Sequence, residues 1–184
     1  MTHRAVVSLL DADHAVAVRS IWDRLAAQGL EADLWVTPIP HITYHVAEAY
    51  RDDMVENLGS VALDTRPFMI RTAGLGMFPE ENPVIYLPVV RGEAVDRIHG
   101  RIWASMEQTA VGVNKLYSSP FWVPHITIGQ VEGSRSATVD ALMTVVSDVC
   151  PWEIKLTELA VIEGAGPGAR TRARIPFGLI EQEP

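Results

Sequence analysis

Two spacings of apolar residues alternate along the chain. "AVVSLLD" (5–11) is a continuous β-rich run, and "ADHAVAVRSIWDRLAAQG" (12–29) places its apolar residues at helical spacing and stops at Gly29. "HITYHVA" (41–47) alternates as a strand does. "RDDMVENLGSVA" (51–62) reads as a second helix with acids in its first turn, and "FMIRTAGLGMF" (68–78) as a strand. The order then repeats: a strand over 84–90, a helix over 92–109, a strand over 121–131 and a helix over 136–149. Strands over 152–163 and 171–180 close the chain. Proline or glycine in the links 78–84 and 163–171 suits hairpins. The expectation is an α+β fold of two antiparallel-rich sheets with helices on their outer faces.

The repetition extends to individual residues. "IPHITYHV" (39–46) and "VPHITIGQ" (123–130) share Pro-His-Ile-Thr at an offset of 84. At that offset Val55, Leu58 and Val61 fall on Val139, Leu142 and Val145, and 66–78 falls without a gap on 150–162. At an offset of 81 the Ile-Trp pair of "SIWDRL" (20–25) meets that of "RIWASM" (101–106), and at 88 "LPV" (87–89) meets "IPF" (175–177). A collinear series of matches points to an internal duplication. The chain is read as one bilobal domain, 1–184, with approximate halves 1–83 and 84–184 and a cleft between the two pseudo-symmetric lobes.

The duplication gives the motif a chemical reading. In a strand, His41 and Thr43 share one face and Ile42 and Tyr44 the other, as do His125 and Thr127 against Ile126 and Ile128. Residues two apart span roughly 6.6 Å. An imidazole and a hydroxyl at that spacing can both reach one tetrahedral anion, and a symmetry-related lobe brings the same pair from the opposite side. In-line cleavage of a phosphodiester needs one proton taken and one given on opposite sides of phosphorus. Histidine does either near neutrality, and threonine hydroxyls can donate to the non-bridging oxygens. His41, Thr43, His125 and Thr127 are therefore the catalytic candidates, with no metal or cofactor called for. His41 and His45 have the spacing of a helical zinc pair, but in a strand they lie roughly 13 Å apart, too far to share an ion. His45, on the same expected face as His41, is a candidate for binding substrate.

Composition narrows the partners. The net charge is −8 and the pI about 5.2. That overall field disfavours a grip on long duplex nucleic acid and leaves a small or terminal substrate. The apolar runs are too short for a membrane span, "MTHRAVVSLLDADH" reaches Asp11 too early for a secretory leader, and the single cysteine, Cys150, fits a reducing cytoplasm.

Two His-x-Thr-x motifs, each after a proline and each on a strand, resemble those of the 2H phosphoesterase superfamily. That superfamily includes bacterial 2′-5′ RNA ligase-like proteins and 2′,3′-cyclic nucleotide phosphodiesterases. The resemblance spans nearly the whole chain. It implies a bilobal α+β fold and hydrolysis of a 2′,3′-cyclic phosphate on a small nucleotide or RNA terminus, commonly to the 2′-phosphate. It also places the site at His41, Thr43, His125 and Thr127. A 2′-5′ phosphodiesterase or RNA ligase activity, or simple capture of phosphorylated ligands, are the alternatives. The chain departs from ligase-like members just after the motifs: His45 stands where a small residue is common, and Gly129-Gln130 lacks a nearby basic residue.

Other features read as structural or secondary. "GAGPGAR" (164–170) is a hairpin tip, since a strand rather than a helix follows it. Arg170, Arg172 and Arg174 share a strand face and read more as a charged edge than as a basic wall. Trp35, Tyr117, Phe121 and Trp122 precede the motifs and read as core, with base stacking as the alternative. His3, His14 and His99 read as surface groups.

Overall fold

A computed structural model describes residues 4–27, 37–132, 134–148, 151–164 and 166–178. Its order is β1 (Arg4–Leu9), α1 (Ala12–Ala27), β2 (His41–Tyr50), α2 (Met54–Leu63), β3 (Phe68–Arg71), β4 (Gly76–Phe78) and β5 (Val84–Pro88). There follow α3 (Glu93–Met106), β6 (Ala110–Val113), β7 (His125–Gln130), α4 (Arg135–Val145), β8 (Glu153–Leu156), β9 (Glu158–Glu163) and β10 (Arg170–Pro176). The fold is α+β with antiparallel sheets, in the orders β10-β9-β1-β2-β6, β4-β5-β7 and β3-β8.

Three departures from the sequence reading have local causes. The strand expected over 68–78 divides in two at Gly74, whose φ of 69° is left-handed and turns the chain. The strand over 152–163 likewise divides at Thr157, and β8 and β9 join different sheets. β6 was not foreseen. It is a short Ala-Val-Gly-Val stretch that gains its pairing only from Ala47, Ala49 and Tyr50 of β2. The expected hairpins are present as β4–β5 and β9–β10.

The strand exchange between the two ends of the chain matters for the site. β4 pairs with β5, which pairs with β7, while β9 pairs with β1. The three-stranded sheet thus takes β4 from the first half, and the five-stranded sheet takes β6, β9 and β10 from the second. The helices cross over too: α1 packs on β7 and α4, and α3 on β2 and α2. In the β3–β8 ribbon Ile70 pairs with Ile154, which lies 84 positions further on, and Met69 and Arg71 pair with Lys155 and Glu153. A register in which a residue faces its own counterpart is what a local two-fold axis produces.

The motif strands are anchored by their inward residues. Ile42 and Ile126 are 1% and 0% exposed, within one core that also takes Val18, Ile21, Ile98 and Ile102. Burying an isoleucine to that degree is worth about 1.5–3 kcal/mol. The outward faces of the two strands are thereby fixed in direction.

Candidate active site

Each motif strand begins at its histidine. Pro40 and Pro124 lack an N–H and cannot extend the ladder on that side. Their carbonyls accept instead from Leu10 N (3.3 Å) and Val89 N (2.9 Å), which tie the strand starts to the ends of β1 and β5. The residue before each proline turns its carbonyl to the imidazole. His41 Nδ1 lies 2.5 Å from Ile39 O, and His125 Nδ1 lies 2.6 Å from Val123 O. A carbonyl can only accept, so Nδ1 carries the hydrogen in both rings. Nε2 is then the nitrogen left for a ligand, bare in the neutral ring and a donor in the charged one.

The strands also share a bulge. β2 pairs Thr43 with Val7 and His45 with Val6, so Tyr44 is an extra residue. β7 pairs Thr127 with Tyr86 and Gly129 with Ile85, so Ile128 is extra. Tyr44 and Ile128 are equivalent at the offset of 84. Both strands show the same burial sequence: partly exposed at His and Thr, buried at the two Ile or Tyr positions and at the residue after the bulge.

That bulge corrects the expectation for His45. One inserted residue reverses the face of everything after it. His45 therefore turns away from His41, is 1% exposed and does not line the cleft. Its Nδ1 lies 2.6 Å from the Tyr50 hydroxyl, and its ring packs at 4.6 Å on Trp103. It is a core residue and not a substrate-binding group. His99 is also corrected: it is 1% exposed, stacks on Trp122 at 3.9 Å and bonds through Nε2 to Tyr117 O at 2.8 Å. His14 stays near the surface, 2.7 Å from Asp11. His3 and Trp35 lie outside the described residues.

His41, Thr43, His125 and Thr127 line one cleft of about 610 Å³. Of the aromatic candidates, Tyr117, Phe121 and Trp122 also line it. Phe121 and Leu116, both lining the cleft, are 67% and 70% exposed and give it an apolar part. Trp122 is buried, and its Nε1 donates to Thr43 O at 2.9 Å. Trp103 Nε1 donates to Tyr44 O at 3.0 Å. The two indoles thus satisfy carbonyls along the bulge of β2. His125 has its own aromatic wall, with Phe78 edge-on at 5.1 Å and Tyr86 at 5.2 Å. Gly76 permits this, since a Cβ there would meet the Tyr86 ring at 2.4 Å. Arg170, Arg172 and Arg174 do not reach the cleft. They pair along the edge strand with Glu163 and Glu158.

Sequence reasoning missed several lining residues. Trp22 lines the cleft, and its Nε1 is buried with no partner among the described residues. Glu80, Asn114 and Gln130 supply further polar groups. Only the matching Ile-Trp pairs hinted at Trp22.

Burial in the cleft wall pushes His41 down to about 4, opposed by the Ile39 carbonyl and reinforced by the charge that His125 would carry. Burial lowers His125 as well, against the pull of the Val123 carbonyl. A proton on one ring opposes a proton on the other, so the pair by itself favours at most one. A phosphate between them would favour protonation of both. Among the described residues no three His, Cys, Asp or Glu side chains converge as a metal cage. No helix among them is long and apolar enough to cross a membrane.

The profile of the 2′-5′ RNA ligase superfamily matches residues 12–168. No curated protein sequence matches the chain. Among solved structures, TT0787 of Thermus thermophilus superposes with a TM-score of 0.63 at 16% identity, covering 95% of this chain and 97% of that one. E. coli LigT complexed with 3′-AMP gives 0.63 at 14% identity, covering 97% and 99%. LigT complexed with phosphate gives 0.58 at 14%, covering 97% and 98%. At these identities the likeness is one of fold.

Proposed function

Given that the chain belongs to the 2′-5′ RNA ligase superfamily, we propose that it is a metal-independent phosphodiesterase that opens a 2′,3′-cyclic phosphate on a small nucleotide or RNA end. The observation that carries this is the matched pair of histidines in one cleft, each with Nδ1 tied to a backbone carbonyl and Nε2 left for substrate. Capture of a phosphate would not require two such groups. That LigT has been solved with phosphate and with 3′-AMP supports a nucleotide as the ligand.

In this reading His41 Nε2 takes a proton from water as its oxygen attacks phosphorus. The P–O3′ bond breaks on the opposite side, and His125 gives its proton to the departing 3′ oxygen. A 2′-phosphate and a 3′-hydroxyl result, and the two rings re-exchange their protons with solvent. His41 is assigned the base because a charge on His125 discourages its protonation. Thr43 and Thr127 donate to the non-bridging oxygens as charge builds there. The exposed Phe121 and Leu116 offer a face for the base. We further infer that the chain is a single bilobal domain built by duplication of halves 1–83 and 84–184. The Ile70–Ile154 pairing and the two equivalent bulges support this.

The test is a screen of 2′,3′-cyclic nucleotides and 2′-5′-linked dinucleotides in EDTA, with the product identified. Turnover of cyclic substrates to 2′-phosphates is expected. Turnover that vanishes with EDTA and returns with a divalent ion would overturn the mechanism. Binding without turnover would leave only a ligand-capturing module.

A further inference from the structure

The cleft is built for an anion yet carries no cation besides its histidines. The chain has 15 lysines and arginines, all of them within the described residues, and none lines the cleft. Arg91, beneath Trp122, is paired with Asp96 at 2.7 Å and bonds to the carbonyls of Ser119 and Trp122. Lys115 sits between Asn114 and Leu116, but its charge bears on His45, on the other side of β2. The one carboxylate among the described lining residues is Glu80.

Glu80 is held at the rim by its loop. It follows β4, and its N–H donates to Phe78 O at 3.0 Å. Two residues on, Asn82 O accepts from Gln130 Nε2 at 3.1 Å, which fastens the loop to the end of β7. The carboxylate itself has no ion pair or hydrogen bond among the described residues. Its charge reaches Tyr117, where burial first and Glu80 second hold the phenol above its ordinary value.

Accordingly we propose, on the basis of the phosphodiesterase reading, that this cleft selects a nucleoside with a single phosphate group and a free 5′-hydroxyl, and that Glu80 enforces the choice by repelling a second phosphate. Two histidines and two threonines suffice for one phosphate. A 5′-phosphate, a pyrophosphate or the next phosphate of an RNA chain finds no lysine or arginine here. It would meet a fixed negative charge in a half-enclosed site, where Coulomb repulsion is larger than in bulk water. The preferred substrate is then a mononucleoside cyclic phosphate rather than an RNA terminus. The net charge of −8 acts in the same direction.

The test separates binding from turnover. Adenosine 2′-monophosphate and adenosine 2′,5′-bisphosphate are titrated calorimetrically into the wild-type protein, Glu80→Gln and Glu80→Lys. Adenosine 2′,3′-cyclic phosphate is assayed with and without a 5′-phosphate. The wild type is expected to bind the monophosphate at least about tenfold more tightly. Glu80→Gln should narrow that ratio, Glu80→Lys should reverse it, and added salt should shrink it in the wild type. Circular dichroism establishes that the exposed substitutions leave the fold intact. Equal or tighter binding of the bisphosphate to the wild type, or a ratio indifferent to residue 80, overturns the inference. If the binding ratios behave as expected while neither cyclic substrate is opened, selectivity stands and the phosphodiesterase reading falls. If both are opened at similar rates with flat binding ratios, the selectivity alone is wrong.

Discussion

The strand that carries His41 runs for ten residues between two neighbours, β1 and β6, whereas the strand that carries His125 runs for six at the edge of its sheet. Both start at Pro-His, tie Nδ1 to the carbonyl two residues back and insert one bulge residue after the threonine. The residues that follow the threonine differ completely: Tyr44-His45 in one, Ile128-Gly129 in the other. The bulge therefore belongs to the backbone arrangement and not to a particular side chain. What differs is the support around each strand, much of it supplied by the other half. β2 has indole donors on two of its carbonyls, and β7 has the Phe78 and Tyr86 rings against its histidine. The device is symmetric and its surroundings are not, and that asymmetry is what the proposed mechanism uses to give two like histidines unlike roles.

The comparison breaks most visibly at the histidines. His41→Ala and His125→Ala should each cost roughly 10²–10⁴-fold in kcat/KM, the usual worth of a general acid or base. Far-ultraviolet circular dichroism should be unchanged. Thr43→Ala and Thr127→Ala should cost less, up to about 10²-fold, as each removes one donor to a charged oxygen. Near wild-type rates in either histidine variant would show that the repeat is not a catalytic pair.

A pH series sharpens the same contrast. Burial lowers both histidines, His41 to about 4. The proposed mechanism needs His41 neutral and His125 charged. The kcat/KM profile, which reports the free enzyme, should therefore rise near pH 4 and fall again below the ordinary histidine value of about 6.5. The kcat profile should sit at higher pH, because bound phosphate favours the charged rings. Stability should move with pH in a defined sense. Burial lowers His41, His45, His99 and His125, so the unfolded chain binds protons that the fold resists. Their contribution to stability is complete above about 6.5 and erodes below it, with the part due to His41 and His45 lost as pH falls toward about 4. A Tm that holds or rises between about pH 7.5 and about pH 5 would contradict the burial of these rings.

Much of the fold, and the presence of the two motifs in one cleft, is legible in the sequence for a specific reason. Proline before histidine marks a strand start, alternation fixes the faces of His41 and Thr43, and the offset of 84 relates the two sites. His45 was misplaced because alternation was carried through the bulge, and a bulge leaves no mark on composition. His99 could have been placed: Val95, Ile98, His99, Ile102 and Met106 are buried together at helical spacing, and the polar residue type concealed the stripe. Glu80 could not be placed, since the strand exchange that brings the β4–β5 loop beside His125 follows from pairing between distant segments. Local pattern does not encode that pairing.

The smallest expected difference lies in the two tryptophans that the offset of 81 relates. Trp103 Nε1 donates to Tyr44 O at 3.0 Å, while Trp22 Nε1, buried at the cleft, has no partner among the described residues. Replacing either by phenylalanine removes similar volume and one N–H. In Trp103→Phe a carbonyl of the buried Tyr44 loses its donor, a loss of about 1–3 kcal/mol. In Trp22→Phe an unpaired donor disappears, which relieves a penalty and offsets part of the lost packing. Trp103→Phe should therefore lower Tm more than Trp22→Phe, by roughly 2–4 °C for each kcal/mol in a chain of this size. Subtracting one variant from the other cancels much of the shared indole-to-phenyl term and leaves the hydrogen bond as the main difference. Equal losses would mean that the two indoles are equally satisfied and that the asymmetry between the halves does not extend to them. A larger loss in Trp22→Phe would mean that its N–H is bonded in the free protein.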